Sequence, residues 1–472
     1  MALGYGAQTK KKDLSASVGI VNNADKIVER PVTSPTLMLQ GQVPGVVIAN
    51  DGGKPTSGQS MVIRGQGSRN GDSVLWVVDG VPGAPIISMN DIESIVVLKD
   101  AASAAIYGAT SGAGGVILVT TKKANKGIHV EYDVIAGVRS AYNLPEPLTA
   151  EEEIRMKTIS HQNAGIGLPS GWDPAVNPWV GVQRTNFMDE CFRIAPYQRH
   201  AVTLNYGTDV FKSRLTFNYQ DNQGIMVGTY KKNLGVRFQG EYQMNKWLQF
   251  TETMSYDDGF GRGVDDNSAH TGVILSALWM PPSAEAYATA GPYAGIFGGT
   301  TTEDPEYVAK YGSNFADIHG DTVNPLRLLL ANDEWGHSVD FWSTSGIHLT
   351  PVRGLKLSSL FTINVHNSNS KTFSPGRPEI GKRETGNRLS VNASRDFQWR
   401  SENTITYDRT FGKHTVGALG AFTINNQEQQ GFGGYGVGLA DESAKMQFMK
   451  FASSKDINSD YFNMDRLIPW NS

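Results

Sequence analysis

The sequence predicts an α+β N-terminal domain followed by an antiparallel β-barrel of the transmembrane kind. Three features carry this expectation. Residues 97–121 read as strand, short helix, glycine-rich turn, strand. From about residue 127 onward, apolar residues recur with period two in runs that are mostly ten residues or longer. The connections between those runs alternate between long and short.

The first feature is "VLKDAASAAIYGATSGAGGVILVTT" (Val97 to Thr121). A phosphate-binding loop places its glycines between a strand and the N-terminus of the following helix, where free N–H groups face the anion. Here the order is reversed. "SIVVLK" (Ser94 to Lys99) is a strand candidate, Asp100 a good N-cap, and Ala101, Ala102, Ala104, Ala105 and Ile106 a short helical run. Gly108, Gly112, Gly114 and Gly115 follow the helix and lead into "GVILVTT". The reading is a helix C-cap and a tight turn packed against backbone, with no nucleotide site.

Bulk properties narrow the classes. The chain has 472 residues, a net charge of −4, 19% charged residues and 52 glycines. No basic run is interleaved with aromatics, so nucleic acid is not an expected partner. One cysteine, Cys191, permits no intrachain disulfide and leaves a thiolate metal site without partners. No apolar run reaches 18 residues, so no transmembrane helix is expected, and "MALGYGAQTKKKD" lacks the apolar region of a signal peptide. A soluble β-rich protein fits these facts, and so does a membrane barrel.

About nine strands are expected, near 128–139, 199–207, 210–220, 229–243, 246–256, 337–349, 354–366, 396–408 and 414–425. In "TYKKNLGVRFQGEY", Tyr230, Leu234, Val236, Phe238 and Tyr242 oppose Lys231, Asn233, Arg237, Gln239 and Glu241. The pattern is imperfect: Glu252 falls on the apolar face of its strand. The connections run long (140–198), short (near 208), long (221–228), short (near 245), long (258–336), short (near 352), long (367–395) and short (near 411). Outer-membrane barrels have long extracellular loops and short periplasmic turns, and tyrosines gather near strand ends as interface girdles would. A soluble sheet shares the face alternation but gives no reason for loops on every second connection only.

Residues 31–126 carry an ordered set of segments: "LQGQVPGVVI" (Leu39 to Ile48), "IRGQGS" (Ile63 to Ser68), "LWVVDGVP" (Leu75 to Pro82) and "NDIESIVVLKDAASAAIYG" (Asn90 to Gly108), then "GGVILVTTKK". Together they resemble the plug domain of SusC/RagA-type TonB-dependent outer-membrane transporters. "DECFRIAPYQRHAVTLNYG", "NPLRLL" and "NTITYDRTFGKHTV" are similar to that family's first barrel strands and loops, so the resemblance covers essentially the whole chain.

The resemblance implies a division into residues 1–30, an N-terminal segment at the TonB box; 31–126, the plug; and 127–472, the first part of a barrel expected to have about 22 strands. It implies import across the Gram-negative outer membrane of a glycan, oligosaccharide or other oligomeric nutrient. A SusD-like surface lipoprotein would close the mouth, and TonB with its inner-membrane motor proteins would supply the work. The other partner implied is outer-membrane lipid, and no cofactor is implied. TonB would pair as a strand with the box, of which Leu3, Gly4, Tyr5 and Gly6 are present. Substrate contacts are expected in the plug loops at Asn50, Asp51, Lys54, Arg69, Asn70 and Asp72, with Trp76 beside them. The alternatives are a receptor or adhesin that binds without transport, and an inactive truncated fragment. The chain's two ends are read as those of a fragment, which on that reading performs no energised import alone.

No catalytic motif is present: there is no GxSxG, HExxH or CxxC, and no EF-hand loop. The 9 histidines are scattered, and His129, His348 and His366 are expected on solvated, lumen-facing positions. Asp265 and Asp266 are read as a solvated loop that could bind Ca²⁺ weakly, and Asp79 as a hairpin-turn residue. Trp279, Trp335 and Trp342 are candidate stacking platforms.

Overall fold

A computed structural model gives the architecture; it describes residues 2–3, 7–8, 18–21, 32, 34–50, 52–65, 74–85, 89–99, 114–169, 172–175, 180–266, 268, 272–289, 294–295, 297–298, 323–376, 386–412 and 414–468. Two short strands, β1 (Ala2–Leu3) and β2 (Ala7–Gln8), pair with each other. The N-terminal domain is then built from β3 (Val18–Val21), helix α1 (Pro35–Met38), β4 (Val46–Asn50), β5 (Gln59–Ile63), β6 (Leu75–Val78), β7 (Val81–Pro82), β8 (Ile92–Leu98) and β9 (Val116–Thr121). Helix α1 starts where Ser34 Oγ accepts the Leu37 N–H and Pro35, with no N–H, needs no acceptor.

Five strands form one sheet in the order β3-β8-β9-β6-β7, with β6 and β9 parallel and the other pairs antiparallel. β4 and β5 form a separate hairpin. "SIVVLK" and "GVILVTT" are apolar at nearly every position because both faces of this sheet are covered. Ile95, Val97, Ile117 and Val119 join Met38, Leu39 and Ile48 in one cluster, while Val96, Leu98, Val116 and Leu118 pack with Val77 on the other side. The helical run at Ala101 to Ile106 lies outside the described residues, as do Gly108 and Gly112. Gly115 takes φ +87°, and a Cβ there would meet Leu98 O at 3.0 Å. That glycine serves close backbone approach, as the order of elements predicts.

Ten strands follow: β10 (Gly127–Arg139), β11 (Ala195–Gly207), β12 (Phe211–Gln223), β13 (Tyr230–Asn245), β14 (Leu248–Arg262), β15 (Asp333–Val352), β16 (Leu355–Ser374), β17 (Arg388–Phe411), β18 (His414–Val437) and β19 (Ser454–Ile468). Each pairs antiparallel with the next in sequence. The sheet is open among the described residues, with β10 and β19 as its outer strands, and no closed barrel is seen. The expected nine strands are all present, and β19 is a tenth. Its sequence "SKDINSDYFNMDRLI" mixes acidic, amide and apolar residues on both alternate sets, so period two does not expose it.

The strands also run past their expected ends, β17 and β18 to 24 residues each, because polar continuations such as "NNQEQQ" keep pairing beyond the apolar stretch. Loop parity holds: β11 and β12, β13 and β14, β15 and β16, and β17 and β18 are joined by two or three residues each, and the intervening connections are longer. Two of these longer connections carry short helices: α2 (Ala150–Asn163) and α3 (Phe187–Cys191) between β10 and β11, and α4 (Val273–Trp279) and α5 (Pro325–Leu330) between β14 and β15. Helices α3, α4 and α5 bury Phe187, Cys191, Val273, Ala277, Leu326 and Leu329 together with Met226 of a fourth segment. No helix among the described residues is long and apolar enough to cross a membrane.

The two faces of the large sheet differ in the sense opposite to that of a water-soluble core. Leu204, Phe217, Leu234, Met254, Ile347, Phe361, Ile405 and Phe422 are exposed on one face. Arg199, Thr203, Arg214, Thr216, Asn218, Arg237 and Ser255 are buried on the other, where the N-terminal domain sits.

Candidate functional site at the contact of plug and wall

The N-terminal domain meets the polar face of the sheet through three charged contacts. The first begins at the β6–β7 turn. Asp79 takes φ 51° and Gly80 φ 89°, the left-handed pair that a two-residue hairpin needs. The turn reading of Asp79 therefore holds, and its carboxylate has a second role. Oδ1 accepts the Thr121 N–H at 2.9 Å and Oδ2 the Thr121 hydroxyl at 2.5 Å, which ties the turn to β9. Oδ2 also accepts Arg237 Nη2 of β13 at 3.2 Å. Gln239, with its amide oxygen toward Arg237 Nη2 (3.0 Å) and Thr121 Oγ1 (2.7 Å), donates to Lys122 O at 3.2 Å.

The second contact is deeper. Asp91, 1% exposed, accepts Arg214 Nε at 3.1 Å and Thr216 Oγ1 at 2.8 Å from β12. Arg214 is held in turn by Asn205 Oδ1 at 3.0 Å. The third, Lys123 to Glu241 at 2.6 Å, is exposed. Burying charge pairs is costly even when they are well made, so such contacts fix position more than they add stability. Arg237 Nε and Nη1 and Asp91 Oδ2 make no hydrogen bond, which lowers the net gain further. The arrangement registers the domain on the wall without cementing it.

At the long-loop end, the turn at residues 52–57 lies against β14 and its continuation. Lys54 Nζ pairs with Asp266 Oδ1 at 3.0 Å and also donates to Val264 O. Thr56 lies beside Gly261 and Gly263, where a Cβ would meet it. A cleft of about 310 Å³ opens there, lined by Thr56, Lys231, Gly259, Gly261, Ser338 and Ser368 among others.

Of the expected substrate residues, Lys54 lies in an ion pair beside Gly263, which lines this cleft, and does not itself line it. Asn50 ends β4 opposite Gln59, and Trp76 sits half-buried in β6 against the domain's core. Asp51, Arg69, Asn70 and Asp72 lie outside the described residues, as do Gly4, Tyr5 and Gly6; Leu3 pairs with Ala7. Asp266 is 3% exposed and serves Lys54 instead of lying solvated. Among the described residues no group of three or more His, Cys, Asp or Glu side chains is placed to hold a metal. Trp342 is buried with its indole N–H on Thr344 Oγ1, Trp335 stacks on Phe260, and Trp279 is exposed.

Of the histidines expected to be solvated, His129 is exposed, while His348 and His366 are half-buried and bonded to neighbours in the sheet. His366 Nδ1 lies 2.6 Å from Asp340 Oδ1, His348 bridges Thr251 and Ser358, and His129 Nε2 meets Lys126 O at 3.0 Å. Arg237 and, within the expected strand near 210–220, Arg214 are legible in the sequence only as strand residues. Their signal is an arginine on the polar alternate set of a strand whose other set is apolar.

Two loop groups are shifted by burial. Glu153 of α2 is pushed up to about 7 by desolvation, against the opposing pull of Lys157. The Cys191 thiol is pushed up to about 12 by burial and then by Glu190.

Residues 10–116 match the family model described as TonB-dependent Receptor Plug Domain. TonB-dependent receptor P26 of Formosa agariphila is 27% identical over 438 residues, which is 89% of this chain and 40% of that protein. TonB-dependent receptor SusC of Bacteroides thetaiotaomicron is 28% identical over 368 residues, 72% of this chain and 34% of that protein. The chain therefore spans 40% or less of the length of these two relatives. The RagAB peptide importer in its "open-open" state superposes with a TM-score of 0.74 at 20% identity, covering 98% of this chain and 53% of the other.

Proposed function

We propose, for a chain that has the N-terminal plug and barrel-strand homology of a SusC/RagA-type TonB-dependent outer-membrane transporter, that it forms the plug and first wall strands of a nutrient importer. The observation that carries the reading is the placement of the plug. It sits on the polar face of a sheet whose opposite face exposes leucine, phenylalanine and methionine. A closed barrel of about 22 strands would present that apolar face to outer-membrane lipid and enclose the plug.

The cargo on this reading is an oligomer rich in hydroxyl or amide groups, a glycan or a peptide. The polar face beyond the plug offers the half-buried Asn364, Gln398 and Asn425, neutral groups that exchange hydrogen bonds with such a chain. RagAB is a peptide importer by its own description. The plug loops containing Asn50, Asp51, Lys54, Arg69, Asn70 and Asp72, with Trp76, would contact the cargo, and a SusD-like lipoprotein would cover the mouth. Work would enter through TonB pairing with Leu3 to Gly6. No catalytic step is assigned.

The test joins plug to wall covalently. Asp79→Cys with Arg237→Cys, joined by a bis-methanethiosulfonate cross-linker long enough to replace the arginine side chain, should abolish uptake of a fluorescent oligosaccharide or peptide while surface binding persists, and reductant should restore uptake. Uptake through the locked protein would refute movement of this plug face. Unchanged binding with no uptake in either redox state would favour a receptor without transport.

A further inference from the structure

Glu252 interrupts the apolar alternate set of its strand, and the structure keeps it on the apolar outer face. Its carboxylate accepts Ser343 Oγ at 2.9 Å (Oε1) and Ser345 Oγ at 2.6 Å (Oε2), both from β15. In register, Glu252 stands opposite Ser345 on one side and Gly240 on the other. Around it on the same face Phe250, Met254, Ile347 and Phe361 are exposed. Among the described residues no lysine, arginine or histidine pairs with it.

A carboxylate directed toward hydrocarbon is costly unless something compensates it. Two serine hydroxyls occupy one lone pair on each oxygen and leave about two more free. The depth of the residue says what can reach them. Glu252 lies one cross-strand row, about 7 Å along the strand, from Phe250 and Tyr242. Those rings and the exposed Trp247 form an aromatic band beside the short turns, where a membrane surface would lie.

We propose that Glu252, Ser343 and Ser345 form a headgroup site for an ammonium-headed phospholipid, phosphatidylethanolamine, in the leaflet on the short-turn side. The inference rests on the reading of the outer face as lipid-facing. A primary ammonium carries three N–H donors to the free lone pairs and neutralises the charge. A quaternary choline has no N–H to give, and an anionic phosphatidylglycerol headgroup meets a like charge.

The test is native mass spectrometry of the protein in nanodiscs of phosphatidylethanolamine and phosphatidylglycerol in equal parts. The wild type should retain phosphatidylethanolamine over phosphatidylglycerol by about fivefold, a single exposed charge contact. Glu252→Gln should lose that preference, and Ser343→Ala with Ser345→Ala should weaken it while keeping the charge. Equal retention by wild type and Glu252→Gln would overturn the site, and so would an oligomer that dissociates on the Glu252→Gln change. A spin label at Leu234, on the same face and away from Glu252, separates the two layers of the inference. Lipid contact at Leu234 without headgroup preference defeats this site alone; water contact there defeats the membrane reading itself.

Discussion

Asp79 and Arg237 meet across the plug–wall contact at 3.2 Å, and each is held by its own element before it reaches the other. The β6–β7 turn and Thr121 fix Asp79, and the β13 ladder carries Arg237 between its partners Thr216 and Ser255. The side chains are thus set before they pair, so little ordering entropy is spent on the contact.

The pair should behave as a registration device. Asp79→Asn keeps the left-handed turn, which asparagine tolerates, and should loosen β9 by about 1–3 kcal/mol in hydrogen exchange because Arg237 stays buried. Adding Arg237→Met should recover most of that loss, since removing both charges relieves the desolvation cost. An additive double mutant would show that the two residues do not interact.

Asp91 is the more demanding anchor, because both it and Arg214 are almost fully enclosed. Asp91→Ala should cost about 3–5 kcal/mol, read as protease sensitivity of the plug against an intact wall. A change no larger than that of Asp79→Asn would contradict the burial ranking.

The helix α2 loop should respond to pH through Glu153. Its folded value of about 7 lies above the ordinary 4.5, so the folded loop binds the proton more tightly. Stability contributed by this group is therefore full below about pH 4.5, falls as pH rises, and is fully lost above about pH 7. Glu153→Gln should raise loop stability by about 1–2 kcal/mol at pH 8 and leave it unchanged near pH 4. Hydrogen exchange across residues 150–163 at the two pH values reads the difference.

Cys191 should resist alkylation. It is fully buried among Phe187, Met226 and the helices α4 and α5, and its thiol is pushed up to about 12. At pH 8 a maleimide should react at least about a hundredfold more slowly than with the denatured chain, since the thiolate is scarce. Fast labelling in the folded protein would mean that the three loops do not share one core.

The two faces of the wall make a further distinction. Spin labels at Leu234 and Phe361 should report lipid in reconstituted membranes, and labels at Asn364 and Gln398 should report water. Arg237 is unsuited to such a test, because it is 3% exposed and faces the plug instead of an open lumen.

Much of this architecture is legible from local sequence. Period two fixes which alternate set of β13 is apolar, and helix-before-glycine order around Gly115 excludes a phosphate loop. What escapes local reading is contact between distant segments. Nothing near Asp79 indicates that Arg237 lies opposite, and nothing near Lys54 indicates Asp266. Strand β19 escapes for a different reason: its neighbour β18 defines it through backbone pairing, and its side chains carry no two-fold pattern.

Pairing of every wall strand with its successor also governs how the sheet can assemble. Most neighbours are joined by turns of a few residues, so their closure is local and fast. Between β14 and β15 stand about 70 residues, and closing that loop costs about 3 kcal/mol more than closing a tight turn. The core shared by α3, α4 and α5 brings the two ends of this segment together against the preceding loops and so shortens the effective search. Nucleation on either side of that junction, with its closure as the slow phase, is the kinetic signature this topology dictates. Substitutions in the loop core such as Leu329→Ala should therefore slow folding more than they speed unfolding.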